Sequence, residues 1–221
     1  MRTILLKEPF RVANRLEQLG LAKEQLLDVV DAMVLARNSC TANDPPAAPG
    51  WSAWRDGTRR LREVFCPLGW EKDDADMISS ISHKDKGVKI AVSNTDEATG
   101  VENQTPQNRS PKGSATDRVI YENQAIFTDI IESTTNVIPM SAPGLGEIGM
   151  VHWYLCVFCD GEIVRAELSC PAKCASGYFT GFYERIMLLT DHDENRGIAI
   201  RPDGPIEDSG FEVPVTRKKA Q

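Results

Sequence analysis

Three arginines in the N-terminal third have a spacing that could bind an anion. Arg55, Arg59 and Arg62 stand at positions i, i+4 and i+7, so a helix places them on one face. Guanidinium groups bind phosphate and carboxylate because their donors form a fixed fork. A solvated helix face, with local pairs to Asp56 and Glu63, gives the same spacing. The segment is therefore a candidate ligand-binding helix.

A long polar segment follows in residues 95–116, where Val101 is the single bulky apolar residue among 22 positions. Such a segment has little to bury, and loops longer than about 15 residues are usually functional or disordered. Arg109, Lys112 and Arg118 give it and its C-terminal flank positive charge. It could wrap a phosphate backbone or a protein partner and become ordered on contact. A mobile loop without function remains the alternative.

Carboxylates on the strand-rich part suggest a catalytic alternative. Glu167 lies with Arg165 and Tyr154 on the less apolar face of a predicted hairpin. Metal-dependent nucleases present magnesium ligands from strands in this way, and Asp96 or Glu97 could supply the second carboxylate. No lysine stands two residues after Glu167, where such enzymes usually carry one. Cross-strand charge pairing explains the same residues without catalysis.

Four of the six cysteines resemble a zinc site in their spacing. Cys156 and Cys159 form a C-x2-C pair, and Cys170 and Cys174 follow as C-x3-C. On a hairpin, however, Cys159 lies beside the turn and Cys170 far along the returning strand, so four ligands cannot meet at one ion. Cys156 and Cys159 also face opposite sides of a regular strand. We therefore expect buried structural cysteines, no metal site and no cofactor.

Hydrophobic periodicity predicts the elements that position these residues. Apolar residues at helical spacing predict helices over 9–19, 22–37 and 52–65, the last capped by Ser52, and one of about 15 residues after Thr116 or Asp117. Alternating or continuous apolar runs predict strands over 78–83, 88–94, 150–170 as a hairpin, 184–190, 197–201 and 211–216. This order predicts an α+β fold, with N-terminal helices followed by a mostly antiparallel sheet built from hairpins and one further packed helix.

The turns predict the register of two hairpins. Pairing residues whose numbers add to 171 places Ile81 opposite Ile90 and keeps the apolar residues on one face. In the main hairpin, a two-residue turn at Asp160 and Gly161 pairs residues whose numbers add to 321. One face then carries only apolar residues: Val151, Trp153, Leu155, Val157, Cys159, Val164, Ala166, Leu168 and Cys170.

Composition places the chain among ordinary folded proteins. It has 221 residues, 41% of them hydrophobic, and a net charge of -7. The basic residues are uneven: 11 against 9 acidic in residues 1–72, 11 against 23 in 73–216, and 3 against none in 217–221. We expect a helical region over 1–70, an α+β domain over 71–216 and a basic tail over 217–221. A local anion-binding surface is compatible with the acidic total.

No apolar run approaches the roughly 18 residues that cross a membrane, and the apolar patch near the N-terminus is too short for a secretory signal. We therefore expect a cytoplasmic protein with reduced thiols. The leading hypothesis is a non-catalytic binding protein whose arginine helix and polar loop engage nucleic-acid backbone or an acidic protein surface. A metal-dependent nuclease or phosphodiesterase, and a structural subunit of a larger assembly, are the alternatives.

Overall fold

The structure is a computed structural model that describes residues 3–133, 149–161 and 163–190, and for 127–133 it describes the backbone alone. Four helices and seven strands follow one another as β1 (Ile4–Leu6), α1 (Pro9–Leu19), α2 (Lys23–Asn38), α3 (Ala48–Phe65), β2 (Glu71–Asp73), β3 (Ser80–His83), β4 (Val88–Asn94), α4 (Ser114–Ser133), β5 (Val151–Asp160), β6 (Ile163–Ala175) and β7 (Tyr178–Leu189). None of the helices in these ranges is long and apolar enough to cross a membrane.

The helix boundaries follow from local chemistry. α1 begins at a proline, whose missing N–H costs nothing in a first turn, and ends at Gly20 in the left-handed conformation. α2 begins where the side chain of Gln25 accepts the backbone N–H of Ala22 at 3.1 Å. α3 begins at Ala48, four residues before the expected cap at Ser52, because Pro49 fits the first turn of a helix.

One mostly antiparallel sheet joins all seven strands in the order β1-β7-β6-β5-β4-β3-β2. The α+β class expected from the sequence is thereby confirmed. Two pairs are parallel: β1 with β7, and β4 with β5. The second parallel pair is allowed because the chain between β4 and β5 is long and contains α4. A short strand, β1, also precedes the helices, which the sequence did not indicate.

The register differs from the expected one in the main hairpin. β3 and β4 pair Ile81 with Ile90, as the turn between them indicates. β5 and β6 instead pair Tyr154 with Ser169 and Asp160 with Ile163, so the paired numbers add to 323 rather than 321. The predicted register is therefore wrong by two residues. A shift of two leaves every side chain on its predicted face, so the alternation of apolar residues could not separate the two registers.

Both faces of the sheet are covered. On one face, α1, α2 and α3 share the larger core with the apolar face of the main hairpin, including Trp153, Leu155 and Leu168. On the other face a smaller cluster contains Ile120 of α4 and Tyr154 of β5. The fully buried Asn123 fixes α4 there, because its amide accepts the N–H of His152 at 2.9 Å and donates to the carbonyl of His152 at 3.0 Å. The expected strands over 197–201 and 211–216 and the tail over 217–221 lie outside the described residues.

His152 makes the stability of this fold sensitive to acid. The residue is 6% exposed, and burial, helped by nearby Lys89, lowers its pKa to about 4 against the opposing effect of Asp73 and Asp76. Between pH of about 6.5 and 4 the unfolded chain binds a proton that the folded chain does not, so the free energy of unfolding falls as the pH falls. We expect His152 to account for a loss of about 3 kcal/mol across this window.

Urea unfolding at a series of pH values measures this loss. In the variant His152→Gln the difference from the native chain should be constant above pH of about 6.5 and shrink toward pH 4. His83→Gln is the control, because it changes a histidine outside that buried environment. A His152→Gln variant with the same pH dependence as the native chain would exclude this role for the imidazole.

Candidate anion-binding groove

α3 places its basic residues around a groove because one side of the helix is committed to the core. Ala53, Leu61 and Phe65 are buried in the main core, whereas Trp54 keeps 36% of its surface exposed. The outward side faces the segment from the end of α3 to β3 across an open groove of about 620 Å³. Its lining residues are Trp54, Arg55, Thr58, Arg59, Arg62, Glu63, Cys66, Pro67, Lys72 and Ser79.

The groove lining carries four cationic side chains and one carboxylate. Arg55 pairs with Asp56 at 2.9 and 3.0 Å and lies 5.0 Å from the ring centre of Trp51. Arg59 lies 3.5 Å from Asp56 and 3.7 Å from Glu63. The hydrogen bond from Arg55 lowers the pKa of Asp56. Since exposed ion pairs contribute little, both guanidiniums can exchange these carboxylates for an anion from outside.

Two donors on groove-lining residues have no hydrogen-bond partner among the residues that the structure describes. Arg62 donates through Nη2 to Asp74 at 2.5 Å and to the carbonyl of Ser80 at 3.4 Å, but its buried Nε has no hydrogen-bond partner. The hydroxyl of Thr58, a residue 7% exposed, also has none. Buried polar groups are nearly always paired in folded proteins. Both atoms are shielded from solvent, so the donors that a ligand in the groove can reach are those of Arg55, Arg59 and Lys72.

The predicted polar loop lies against the sheet and is held by internal contacts. Glu167 of β6 is fully buried and accepts both Nε and Nη2 of Arg185, at 2.8 and 2.6 Å, together with the N–H of Gly100 at 2.8 Å and the hydroxyl of Ser169 at 2.6 Å. Arg185 also donates to the loop carbonyls of Gln104 at 2.6 Å and Val101 at 3.2 Å. This buried pair therefore fastens the loop to β6 and β7.

Gly100 allows the loop to approach the sheet closely. Its φ of +73° is one that glycine adopts without strain. A Cβ atom there would lie 3.0 Å from the carbonyl oxygen of Leu189 and 3.1 Å from the Cβ of Arg165. The N–H that Glu167 accepts can therefore reach the carboxylate only because this residue has no side chain.

Several predicted ligand-binding residues are used to hold this loop. Arg165 donates to the carbonyl of Glu97 at 2.6 Å and lies 4.9 Å from the ring centre of Phe158. Arg109 lies on the same ring at 5.5 Å and donates through Nε to the carbonyl of Thr95 at 3.2 Å. Their guanidiniums therefore bind loop carbonyls and an aromatic ring rather than joining the groove.

Lys112 and Tyr154 pack against each other beneath the loop. The ammonium of Lys112 lies 5.8 Å from the ring centre of Tyr154, which is almost completely buried. Burial lowers the pKa of Lys112 and raises that of Tyr154. Arg118 differs, because its exposed guanidinium pairs with Asp76. The structure thus brings Arg55, Arg59 and Arg62 together and places the other predicted residues elsewhere.

The carboxylates considered for metal catalysis have different surroundings and do not act together. Asp96 accepts the N–H groups of Gln107 at 3.0 Å and Ala98 at 3.3 Å and so shapes the loop. Glu97 is exposed, while Glu167 is saturated by donors from the protein. Within the described ranges, no group of three or more histidine, cysteine, aspartate and glutamate residues could hold a metal ion.

The four cysteines with zinc-like spacing divide between the two faces of the sheet. Cys159 and Cys170 belong to the larger core, and Cys156 and Cys174 to the smaller cluster on the other face. Burial raises the pKa of Cys156 and Cys170 well above the ordinary thiol value. Because metals bind the thiolate, this environment opposes a metal site. All six cysteines are described and are free thiols.

The sequence prediction named Arg55, Arg59 and Arg62 but not Trp54, Thr58 or Lys72 as ligand-binding residues. Trp54 and Thr58 stand eight and four residues before Arg62, a spacing that places all three on one face of α3. Lys72 gave no such signal, because β2 has only three residues and its position opposite α3 is a tertiary feature.

Comparison with protein-family models, with curated proteins and with solved structures found no match to this chain.

The buried pair makes Glu167 a structural residue, and its substitution should destabilise the fold. Glu167→Gln leaves the guanidinium of Arg185 buried without its countercharge, which we expect to cost about 3 to 5 kcal/mol of the free energy of unfolding. Glu97→Gln, a matched change at an exposed carboxylate, should cost less than about 0.5 kcal/mol. Urea unfolding measures both. Equal losses in the two variants would contradict this assignment.

Proposed function

We propose that this protein is a non-catalytic binding protein that engages an anionic partner through the groove along α3. The observation that carries the proposal is the groove lining, in which four cationic side chains accompany one carboxylate and Arg55, Arg59 and Lys72 are exposed. An anion supplies acceptors and a countercharge for these exposed cations. Nucleic-acid backbone is the partner class that we favour.

Aromatic side chains favour nucleic acid over an acidic protein surface. Trp54 lines the groove and keeps 36% of its surface exposed. Proteins that bind nucleic-acid strands combine a basic groove with aromatic surfaces on which bases stack. Arginine forks also match the geometry of phosphate oxygens. An acidic protein surface would use the cations but leave the indole ring of Trp54 without a comparable partner.

In this proposal the loop of residues 95–116 stabilises the fold rather than binding the partner. Arg109, Lys112 and Arg165 are engaged beneath it, so the loop is a fixed part of the body rather than an arm that closes over a partner. Arg118 keeps an exposed guanidinium and could add to a wider basic surface.

A metal-dependent nuclease has less support, because Glu167 holds the loop and Asp96 caps its turns. A structural subunit of a larger assembly would also display a basic groove, with the partner inside that assembly. The six free thiols favour a reducing compartment, and we propose the cytoplasm as the location.

Salt-dependent binding tests the proposal. We expect labelled RNA and DNA oligonucleotides to bind in fluorescence anisotropy at about 50 mM salt and to weaken at about 200 mM, because phosphate contacts release counterions. Arg59→Gln should weaken binding several-fold and reduce the slope of log K against log salt by roughly 0.7 to 0.9.

Arg11→Gln is the matched control, since Arg11 is an exposed arginine that pairs with Glu8 three residues away, as Arg59 does with Asp56. It should bind like the native chain. Absence of binding at the lower salt, or binding that salt does not change, would refute nucleic acid as the partner.

A further inference from the structure

We infer that Arg62 is a positioning residue, which holds the two walls of the groove along α3 at a fixed separation, so that the bound anion contacts cations on both walls. This inference rests on the proposed function and concerns how the same groove recognises its partner. It depends on the contacts that Arg62 makes with the strand ends and the turn of the opposite wall.

Arg62 joins α3 to the chain that leaves β2 and enters β3. Its Nη2 donates to the carboxylate of Asp74 at 2.5 Å and, in longer contacts, to the carbonyls of Asp73 at 3.5 Å and Ser80 at 3.4 Å. Only 19% of the surface of its side chain is exposed, and Nε is shielded from solvent. The guanidinium therefore contacts both strands at the same end of their hairpin and is committed to the protein rather than to a ligand.

The carboxylate of Asp74 is suited to this contact. The hydrogen bond from Arg62 lowers the pKa of Asp74, and a hydrogen bond from Ser79 acts in the same direction. The carboxylate therefore remains ionised at neutral pH, so the contact keeps its charge-assisted character. Ser79 also lines the groove, so Asp74 is bound both by α3 and by a residue of the opposite wall.

The wall that Arg62 holds carries a cation of its own. Lys72 of β2 pairs with Ile81 of β3, which is fully buried in the core shared with α1, α2 and α3. Paired residues of neighbouring strands lie on one sheet face, so Lys72 projects on the face that α3 covers. Its side chain is exposed and lines the groove. Arg55 and Arg59 thus supply cations from the helix, and Lys72 supplies one from the strand.

β2 needs such a contact because it is a short strand at the edge of the sheet. It has three residues and pairs with β3 alone among the described strands. On the other face, Lys89 of β4 contacts Asp73 at 2.8 Å. Arg62 makes the corresponding contact on the groove side. A wall that is fixed before binding loses little conformational freedom when an anion spans the groove.

Direct binding and positioning by Arg62 predict opposite effects of removing Asp74. If Arg62 bound the anion directly, loss of the neighbouring carboxylate would remove a repulsion and strengthen binding. If Arg62 holds the wall, the same loss releases the wall and weakens binding, although the groove becomes more positive. We expect the second result.

Anisotropy with a labelled oligothymidylate of about 12 residues, at salt concentrations from about 50 to 200 mM, measures these effects. Asp74→Ala should weaken binding about threefold and Arg62→Met about fivefold to tenfold, because the wall must then be ordered on binding. The slope of log K against log salt should stay within about 0.3 of the native slope, since neither residue contacts a phosphate. The double variant should lose no more than Arg62→Met alone.

Arg60 and Asp28 provide a matched control pair. They form a paired contact between α3 and α2, at 3.1 and 2.6 Å, outside the groove lining. Arg60→Met and Asp28→Ala change the charge as the test variants do. Each should alter binding less than about twofold, because exposed ion pairs away from the partner contribute little.

Hydrogen exchange of the free protein gives a readout that needs no ligand. The amide of Ile78, which donates to the carbonyl of Ala75 at 3.1 Å, reports on the turn in the opposite wall. Its exchange should be several-fold faster in Arg62→Met and Asp74→Ala than in the native chain, because the turn opens more often. It should be unchanged in Arg60→Met.

The other outcomes separate this inference from the proposed function. Stronger binding in Asp74→Ala, or a salt slope in Arg62→Met that falls by roughly 0.7 to 0.9, would make Arg62 a direct phosphate contact. Either result would overturn the inference and leave the proposed function intact, as would unchanged exchange at Ile78 in both variants. Absence of binding by the native chain would refute nucleic acid as the partner and overturn the inference with it.

Discussion

Two buried ion pairs on neighbouring residues of β7 hold the covering layers to the sheet. Glu184 accepts both Nε and Nη2 of Arg15 from α1, at 2.7 and 2.8 Å. Arg185, the next residue, makes the equivalent paired contact with Glu167 and reaches the loop over the other face. Successive strand residues point to opposite faces, so Glu184 binds α1 on one face of the sheet and Arg185 binds the loop on the other. Because a buried charge without its partner is costly, each layer must stay in register with β7.

The buried pair of Glu167 and Arg185 explains how the loop of residues 95–116, which has so little apolar surface, can cover a sheet. Loop backbone near a sheet must find hydrogen-bond partners, since strand residues already bond to one another. Arg165 and Arg185 supply donors to three loop carbonyls, and Glu167 accepts a loop N–H. The loop is therefore stabilised by charge-assisted hydrogen bonds where a typical covering element would use apolar contacts. This is also why most of the predicted loop cations are unavailable to a partner.

Sequence periodicity predicted element types and buried faces better than it predicted pairing. The apolar face of the main hairpin was predicted correctly, yet its register was wrong by two residues because both registers bury the same side chains. The strands β1 and β2, with three residues each, are too short for a periodic pattern. The parallel contact between β4 and β5 depends on where α4 packs, which is a tertiary property.

In the candidate site, too, local features could be predicted from the sequence and tertiary contacts could not. Helical spacing identified Arg55, Arg59 and Arg62, because a face of α3 is a local property. The inward positions of Arg109 and Arg165 could not be predicted in this way, since their partners include backbone carbonyls that every residue carries. Cation density alone therefore does not distinguish a binding arginine from a structural one. The distinction comes from whether the donors of the side chain are already used within the protein.

Net charge and short-range contacts lead to different expectations for the groove along α3. The chain is acidic overall, with a net charge of -7, so general attraction for a polyanion is weak at a distance. Binding at the groove must then depend on short-range contacts, and the cations there are partly neutralised by Asp56, Glu63 and Asp74. A ligand must compete with these carboxylates, so groups that match the guanidinium forks of Arg55 and Arg59 are favoured over diffuse negative charge.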